Sequence, residues 1–397
     1  MMKLTTDKNK EYKNISNPCP PQNCTGCGVC TQVCPFGAIQ MIEDALLCST
    51  ISYIDSNKCK KCNLCIEACP QRSISKANEP RCCFVSWINP SIRPLHSSSG
   101  GLAYACSESI LEQNGYVCGC AMINGRARHI LISRKDDLSL LCGSKYIQSE
   151  IGDNYRTIKR LLSQGRKILF IGTPCQIDGL YHMVDRNNEN LYTIDLICHG
   201  VPIQLLWEQW AEANYKNYKN SILTFRKGTS FLTTFYDSKT HKELKKFILS
   251  RNYYLSAFLS GISYRENCYI CQYARPHRLG DLTLGDFWGI DKNVERNIPE
   301  APSLLLVNTD KGKVLFDTIN NIEAYEMDYI LAIEHNAQLR EPMPKPNDRS
   351  YFIAYNPIKN FNIACEKTPC LKNKHISSFQ MIYIMIKRLI KRLLFII

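Results

Sequence analysis

The chain of 397 residues lacks several features that would place it in a familiar class. Its first residues, MMKLTTDKNKEYKN, have no apolar core of the kind found in a secretory signal. No predicted strand is followed by G-x-G-x-x-G, so a Rossmann-type dinucleotide site is not supported. There is also no zinc-finger helix, RNP-like aromatic motif or long basic stripe. We therefore do not expect nucleic acid as a partner, despite a formal charge of +13.

Cysteine, by contrast, is abundant, with 22 residues in the chain. Because no export signal is found, disulfides are not expected, and metal ligation in the cytoplasm is favoured. Coordinated thiols are deprotonated, so two or three four-thiolate [4Fe-4S] clusters would remove about four to six units of positive charge. The composition therefore predicts a cytoplasmic, metal-binding protein.

A four-cysteine motif occurs twice near the amino terminus. Residues 24–34 read CTGCGVCTQVC and residues 59–69 read CKKCNLCIEAC, and a proline follows each copy. Every cysteine of the second copy lies 35 residues after its counterpart, so the block is an internal repeat. The pattern C-x2-C-x2-C-x3-C-P closely resembles the two-cluster bacterial ferredoxin module. Such a module implies a one-electron relay.

In this pattern, three closely spaced cysteines bind one cubane and the fourth reaches the other. The first thiol set is predicted to consist of Cys24, Cys27, Cys30 and Cys69. The second thiol set is predicted to consist of Cys59, Cys62, Cys65 and Cys34. Paired zinc sites are an alternative, but they do not explain the third cysteine of each copy or the proline. Cys19 and Cys48 fall outside the spacing and are interpreted as structural or incidental.

Beyond Arg81 the cysteines become sparse, and apolar runs alternate with segments of helical length. Strands are predicted over residues 116–122, 130–133, 167–171, 191–197, 222–226, 232–236, 244–249 and 303–308. Helices are predicted from about Leu102 and over residues 154–163, 173–183, 203–217 and 311–321. The fold class is therefore α/β (α+β): a small ferredoxin-like 2[4Fe-4S] domain, then a larger mixed α/β flavin-binding domain with a β-rich insert. The predicted domains are residues 1–80, residues 81–345 and a C-terminal extension at 346–397.

Single cysteines follow two of the predicted strands. Cys175 comes after the strand at 167–171, in the segment IGTPCQIDG, and Cys198 comes after the strand at 191–197. Because ligands gather at the carboxyl ends of strands in open α/β sheets, these thiols could sit side by side. With a C-x2-C pair they complete a third thiol set, enough for a third [4Fe-4S] cluster: Cys175, Cys198, Cys268 and Cys271. A structural zinc, a redox dithiol or an inert buried Cys175 are the alternatives.

Six motifs of the second part occur in a fixed order. They are Ser97-Ser-Ser-Gly-Gly101 after His96, Gly143-Ser-Lys-Tyr146, Gly172-Thr-Pro-Cys-Gln-Ile177, Cys198-His-Gly-Val-Pro202, Cys268-Tyr-Ile-Cys271 and Gly285-Asp-Phe-Trp-Gly289. Together they resemble the coenzyme F420 hydrogenase/dehydrogenase beta-subunit family over roughly residues 82–345. The resemblance implies a flavoprotein that binds FAD beside an iron–sulfur cluster and exchanges one-electron for two-electron chemistry. No nickel site of the hydrogenase type is present, so hydrogen activation in this chain is not expected.

The resemblance also implies a flavin site on a Ser/Gly-rich turn and two further residues. These residues are His96, Ser97, Ser98, Ser99, Gly100, Gly101, Lys145 and Tyr146. The turn enters the helix predicted near Leu102, where backbone N–H groups and hydroxyls can bind a pyrophosphate at the positive helix end. A flexible loop, a solvated lysine and a satisfied loop histidine are the alternatives. No catalytic residue or proton donor is assigned.

Beyond Glu366 the chain has no acidic residue, and it ends in HISSFQMIYIMIKRLIKRLLFII. Four basic residues recur at helical spacing opposite an apolar face, which indicates a basic amphipathic helix. Charges interrupt this segment too often for a bilayer span, so the helix would suit the surface of an anionic membrane at its inner face. A helix packed on its own domain or on a partner subunit fits the pattern equally well.

We expect an oxidoreductase that depends on FAD and [4Fe-4S] clusters and passes electrons between a low-potential donor and an organic small molecule. The donor would be a ferredoxin or another redox protein. The acceptor could be F420, a sugar or lipid intermediate, or a pigment-like molecule, since a fold does not determine its substrate. The alternative is an electron-transfer subunit that carries clusters to a partner protein and binds no flavin.

Overall fold

The computed structural model describes residues 17–94, 96–290 and 298–372. The strands are β1 (Ile39–Asp44), β2 (Ser49–Ile54), β3 (Cys82–Ile88), β4 (Tyr116–Ile123), β5 (Arg126–Ile132), β6 (Ile168–Gly172), β7 (Leu191–Leu196), β8 (Ser221–Lys227), β9 (Ser230–Asp237), β10 (Glu243–Ile248), β11 (Leu282–Asp286), β12 (Ser303–Val307) and β13 (Ile322–Glu326). The α-helices are α1 (Val29–Val33), α2 (Leu64–Glu67), α3 (Leu102–Glu112), α4 (Asn154–Ser163), α5 (Pro174–Tyr181), α6 (Gln204–Asn214), α7 (Tyr253–Leu259), α8 (Asp310–Asp317), α9 (Tyr329–His335), α10 (Arg349–Ala354), α11 (Phe361–Lys367) and α12 (Pro369–Lys372). The predicted amphipathic helix of the tail lies outside the described residues. Within the described ranges, no helix combines the length and hydropathy needed to cross a membrane.

An eight-stranded mixed sheet forms the centre of the described chain, in the order β13-β3-β12-β11-β7-β6-β4-β5. Strands β4, β6, β7 and β11 run parallel, so their carboxyl ends share one edge of the sheet. Strands β12, β3 and β13 extend one side by antiparallel pairing, and β5 closes the other side. This mixed sheet confirms the predicted α/β class.

The parallel strands are apolar on both faces because helices cover both sides of the sheet. Ile168 and Phe170 of β6 pack with α4 and α5 on one side. Leu169, which alternates with them, packs with α3 and α8 on the other side. The helix predicted over residues 154–163 coincides with α4.

The predicted β-rich insert forms a separate three-stranded antiparallel sheet of β8, β9 and β10. Its core includes Trp207 and Trp210 of α6. Phe352 of α10 and Phe361 of α11 are buried in the same cluster. The described part of the C-terminal extension therefore completes the core of the insert.

The segment before β3 contains the β1–β2 hairpin and the short helices α1 and α2. Hydrogen bonds to distant residues hold this segment against the rest of the chain. The Asn267 side chain donates to the carbonyl oxygen of Asn23 at 2.7 Å, and Arg156 Nη2 donates to that of Cys34 at 3.1 Å. The cysteine repeat is thereby fixed beside the large sheet.

Several elements differ from the prediction. The helix predicted over residues 203–217 ends at Asn214, because Tyr215 is extended and a 3-10 turn follows at Lys216–Asn220. The helix predicted over residues 311–321 ends at Asp317. Strands β3, β11 and β13 were not predicted, although CCFVSWI of β3 is a β-prone apolar run.

Candidate redox site

The structure brings the cysteines of the two copies of the repeat close to one another, and Cys30 shares a buried cluster with Cys34, Cys59 and Cys65. Burial raises the pKa of the Cys30 thiol, and the charges of the other members of the first thiol set and of Cys65 raise it further. Burial also raises the pKa of the Cys65 thiol, whose neighbours are the other members of the second thiol set. Each fourth cysteine, Cys69 or Cys34, thus lies with the three cysteines of the opposite copy.

The two sets differ in their exposure. All four members of the first thiol set are buried, whereas Cys62 of the second set is exposed. Backbone N–H groups of Ala38 and Lys61 lie 3.4 Å from the Sγ atoms of Cys34 and Cys59. Such N–H···S contacts stabilise thiolates. Because Cys62 is exposed, the second thiol set is the one that reaches the surface.

Cys19 lies outside the predicted ligand spacing, yet it is buried against the first thiol set. Hydrogen bonding to Cys24 and Cys69, one from each copy of the repeat, raises the pKa of the Cys19 thiol. No local pattern indicates this position, because Cys19 precedes the motif and reaches the set only through the folding of the segment.

The third thiol set forms at the carboxyl edge of the large sheet. Strands β6 and β7 pair in parallel, which places their ends side by side. Cys175 follows Pro174 in the first turn of α5, where Thr173 and Gln176 form a capping box. Burial raises the pKa of the Cys198 thiol, and the charges of the other three members of the set raise it further. The structure therefore brings together all four predicted members.

The first and third thiol sets are close neighbours. A Cβ atom at Gly179 of α5 would lie 3.1 Å from Cβ and 3.3 Å from Sγ of Cys27, so glycine lets the helix pack directly on that cysteine. Burial raises the pKa of the Cys27 thiol to about 12, and a smaller contribution comes from Cys175. The two sets therefore interact across the packing of α5 on the amino-terminal segment.

A cavity of about 620 Å³ opens at the same edge of the sheet. Cys175 and Cys198 form part of its wall. Much of the remaining wall is apolar, with side chains of Leu138, Leu141, Phe231, Phe258 and Leu284. The third thiol set and the cavity therefore share a boundary.

The Ser/Gly-rich turn lines another part of this cavity, through Ser97, Ser98, Ser99 and Gly101. Helix α3 begins at Leu102 without a side-chain cap, and residues 102–104 also line the cavity. Unpaired N–H groups at a helix start, together with the positive end of the helix dipole, favour a bound phosphate. The turn therefore has the features expected of a pyrophosphate site.

Two residues of the predicted flavin site, His96 and Gly100, do not line the cavity. A Cβ atom at Gly100 would lie 2.4 Å from the carbonyl oxygen of Ser86, so glycine allows the turn to pack on β3. The ring of His96 contacts the insert, with Nε2 3.2 Å from Nδ1 of His241. These residues support the turn from outside.

Lys145 and Tyr146 both line the cavity. Nζ of Lys145 donates to the carbonyl oxygens of Leu141 at 2.8 Å and Cys142 at 2.7 Å. Burial lowers the pKa of this lysine. An ammonium group carries three donors, so one is left for a ligand. The ring of Tyr146 stacks on Phe258 with centroids 4.4 Å apart.

The polar and aromatic residues of the wall that the predicted site lacks include His129, Arg226, Asp286 and Trp288. Arg226 of the insert forms an ion pair with Asp286 and lies 5.9 Å from the Trp288 ring centroid. Burial lowers the pKa of His129 to about 4, and its Nδ1 has no hydrogen-bond partner among the described residues. Asp286 and Trp288 belong to the motif GDFWG, which could have indicated them as site residues. Arg226 belongs to no motif, so the sequence offered no indication of its role.

A buried carboxylate joins the amino-terminal segment, α5 and the loop after Cys271. Asp178 accepts hydrogen bonds from the hydroxyl of Tyr273 at 2.9 Å and the backbone N–H of Ser75 at 3.2 Å. Its interaction with His182 raises the pKa of that histidine to about 9. The three segments that carry the first and third thiol sets are therefore tied at one point.

Comparison with known proteins gives a family for two parts of the chain. No curated protein matches it in sequence. A chain of the F420-reducing [NiFe] hydrogenase complex from Methanosarcina barkeri is similar in structure, with a TM-score of 0.46 and 17% identity, over 66% of this chain and 90% of that chain. The family described as the C terminus of the coenzyme F420 hydrogenase/dehydrogenase beta subunit matches residues 165–330, and the 4Fe-4S dicluster domain matches residues 23–74. These two matches confirm the resemblance for the parts they cover: residues 165–330 match the C terminus of the coenzyme F420 hydrogenase/dehydrogenase beta subunit, and residues 23–74 match the 4Fe-4S dicluster domain.

Proposed function

We propose that this chain is an iron–sulfur flavoprotein oxidoreductase that passes electrons between a low-potential donor and an organic acceptor. The observation that carries the proposal is the shared wall of the cavity. The Ser/Gly-rich turn and the start of α3 line one part, and Cys175 and Cys198 line another. Iron–sulfur clusters supply one-electron transfer, and FAD supplies the exchange between one-electron and two-electron chemistry.

The cavity suits a flavin in size and lining. Its volume of about 620 Å³ falls within the usual range for cofactor sites, about 300–1,000 Å³. The apolar side chains of the wall suit a flat ring system, and the uncapped start of α3 suits a pyrophosphate. Ser97, Ser98, Ser99 and Gly101 would contact the cofactor, while His96 and Gly100 would hold the turn in place.

The three thiol sets form a sequence from the surface to the cavity. The second set contains the exposed Cys62, the first set is buried, and the third set borders the cavity. We infer that electrons are taken up near Cys62 and leave at the cavity. The same order of sites would also carry electrons in the reverse direction, from the cavity to the surface near Cys62.

The arrangement of the thiols favours clusters over single zinc ions. In the ranges that the structure describes, no three His, Cys, Asp or Glu side chains converge as one ion requires. The four thiolates of a cubane bind four different irons and are therefore spaced more widely than the ligands of one zinc ion. We assign a third [4Fe-4S] cluster to the third thiol set because the set offers four thiols, the number that such a cluster requires.

The surface around the second thiol set suits an acidic electron carrier such as a ferredoxin. Lys60 and Lys61 are exposed at its rim. Phe36 and Leu64, which stand beside the same cysteines, are 45% and 42% exposed. An apolar centre with a charged rim is the usual composition of a docking surface, and lysines attract an acidic partner.

Replacing both lysines, K60E together with K61E, is expected to slow reduction by an acidic ferredoxin about tenfold or more at low salt. The reason is that opposite charges steer encounter and raise the association rate. Stopped-flow bleaching of the cluster absorbance measures this rate at several salt concentrations. The matched control is K245E with K246E on the exposed strand β10 of the insert, which should leave the rate unchanged. Equal rates in both double variants would place the donor elsewhere.

The proposed function is tested by counting iron and flavin in protein purified without oxygen and released with acid. We expect about twelve iron atoms and one FAD per chain, since each cubane holds four irons. About eight iron atoms without flavin, even after reconstitution, would contradict the proposal. The chain would then be a relay subunit that hands electrons to a partner protein.

A further inference from the structure

A buried arginine separates the first and third thiol sets. Arg265 is 3% exposed and lies just before the Cys268 pair in sequence. Its guanidinium donates to the carbonyl oxygen of Thr25, inside the first cysteine motif. Its Nη2 lies 3.7 Å from Sγ of Cys268, and its charge opposes the rise that burial causes in the pKa of the Cys175 thiol. One side chain therefore contacts both parts of the redox site.

No carboxylate of the described residues pairs with this charge. The adjacent Glu266 pairs with Lys345 and Arg349 instead. Among the described residues, no carboxylate oxygen lies within 4.0 Å of the Arg265 guanidinium. Arginine stays protonated in proteins, and a buried charge without a partner strongly destabilises a fold. The negative charge that balances Arg265 must therefore come from another kind of group.

The groups that face Arg265 electrostatically are thiols. They are Cys268, Cys175, Cys198 and Cys24, in that order of strength. Three belong to the third thiol set and one to the first. Buried thiols become anionic when they coordinate metal, because coordination removes their protons. The position of Arg265 is thus explained if both sets hold metal. This argument for metal does not depend on the spacing of the cysteines.

We propose that Arg265 is the shared counter-charge of the first and third thiol sets and raises the reduction potential at both. This inference rests on the proposed function. A [4Fe-4S] cluster held by either set would gain one unit of negative charge on taking up one electron. A fixed positive charge at that distance stabilises the reduced form without uptake of a proton. The guanidinium would therefore stabilise the reduced state of a cluster at the first or third thiol set. It also holds the Thr25 loop against the third set.

The test is a redox titration of the iron–sulfur signals, followed by electron paramagnetic resonance, on intact protein purified without oxygen. R265Q removes the charge and keeps much of the side-chain length. We expect the midpoint reduction potential at the first or the third thiol set, or at both, to fall by about 59 mV or more. This shift is a tenfold change in a one-electron equilibrium. R265K retains a charge but loses the planar fork, so its midpoints should lie between those of R265Q and the unchanged protein.

R349Q is the matched control, because Arg349 is another buried arginine, paired with Glu266 and outside the predicted thiol sets. It should leave the potentials unchanged, which separates an electrostatic effect from a general effect on folding. Unchanged midpoints in an R265Q protein with full iron content would overturn the proposal. If R265Q loses iron, R265M, which also removes the charge and keeps a long side chain, decides: unchanged midpoints in that variant would also overturn the proposal. About eight iron atoms in the unaltered protein would instead refute the third cluster, and with it the shared role.

Discussion

Alanine in place of Cys175 is expected to lower the iron content by about four atoms per chain, or by about one if a three-iron cluster remains. Cys175 sits in the first turn of α5, where the positive end of the helix dipole stabilises a thiolate. Its neighbours are the other three members of the third thiol set, and no further cysteine is predicted as a substitute ligand there. Acid-released iron and paramagnetic resonance spectra of protein purified without oxygen measure the effect.

The matched control for C175A is C82A, because Cys82 begins β3 and belongs to none of the three thiol sets. Its iron content should equal that of the unaltered protein. The flavin content of C175A should change less than the iron content, because the Ser/Gly-rich turn and the start of α3 are untouched. Full iron retention in C175A would make Cys175 an inert buried thiol and would contradict the third cluster.

Alanine in place of Asp195 is expected to destabilise the fold by about 3–5 kcal/mol, because it leaves a buried arginine without its partner. Asp195 and Arg278 are both almost fully buried, with Oδ1 3.1 Å from Nη2. The same carboxylate accepts hydrogen bonds from the backbone N–H groups of Leu279 and Gly280 and from the hydroxyl of Thr283. The midpoint of thermal or urea unfolding of the intact protein measures the loss.

A double variant tests the electrostatic origin of this effect. D195L combined with R278L should be less destabilised than D195A, since removing both charges leaves no unpaired ion in the core. The exposed control D317A breaks the surface pair of Lys313 and Asp317 and should cost about 0–1 kcal/mol. If D195A unfolds no earlier than D317A, the buried pair has no stabilising role. Because Arg278 also donates to the carbonyl of Tyr273, loss of Asp195 should loosen the loop that carries Cys271.

Local patterns predicted a large part of the candidate site. The spacing C-x2-C-x2-C-x3-C-P predicted which cysteines share a set, because in the two-cluster ferredoxin pattern the fourth cysteine of each copy reaches the other cluster. The apolar runs before Cys175 and Cys198 predicted neighbouring parallel strands, and β6 and β7 pair in that way. The cavity wall includes most of the Ser/Gly-rich turn that the family motifs indicated.

Other features depended on contacts between distant segments. Strand β11 lies beside β7, and the antiparallel β12 and β3 follow it, an order that no run of residues indicates. Arg226 reaches Asp286 from the insert, and Gly100 proved to be a packing residue beneath the turn. The position of Cys19 against the first thiol set also depends on how the segment folds.

The sequence by itself predicted the thiol sets and determined the family match, because ligand spacing and turn chemistry are properties of short stretches of chain. Only the tertiary structure decided how those groups face one another. Arg265 and Thr25 are 240 residues apart, yet their contact joins the first thiol set to the third. Such a contact follows from the packing of α5 and the Cys268 loop on the amino-terminal segment, and that packing is set by burial over the whole fold rather than by any local pattern.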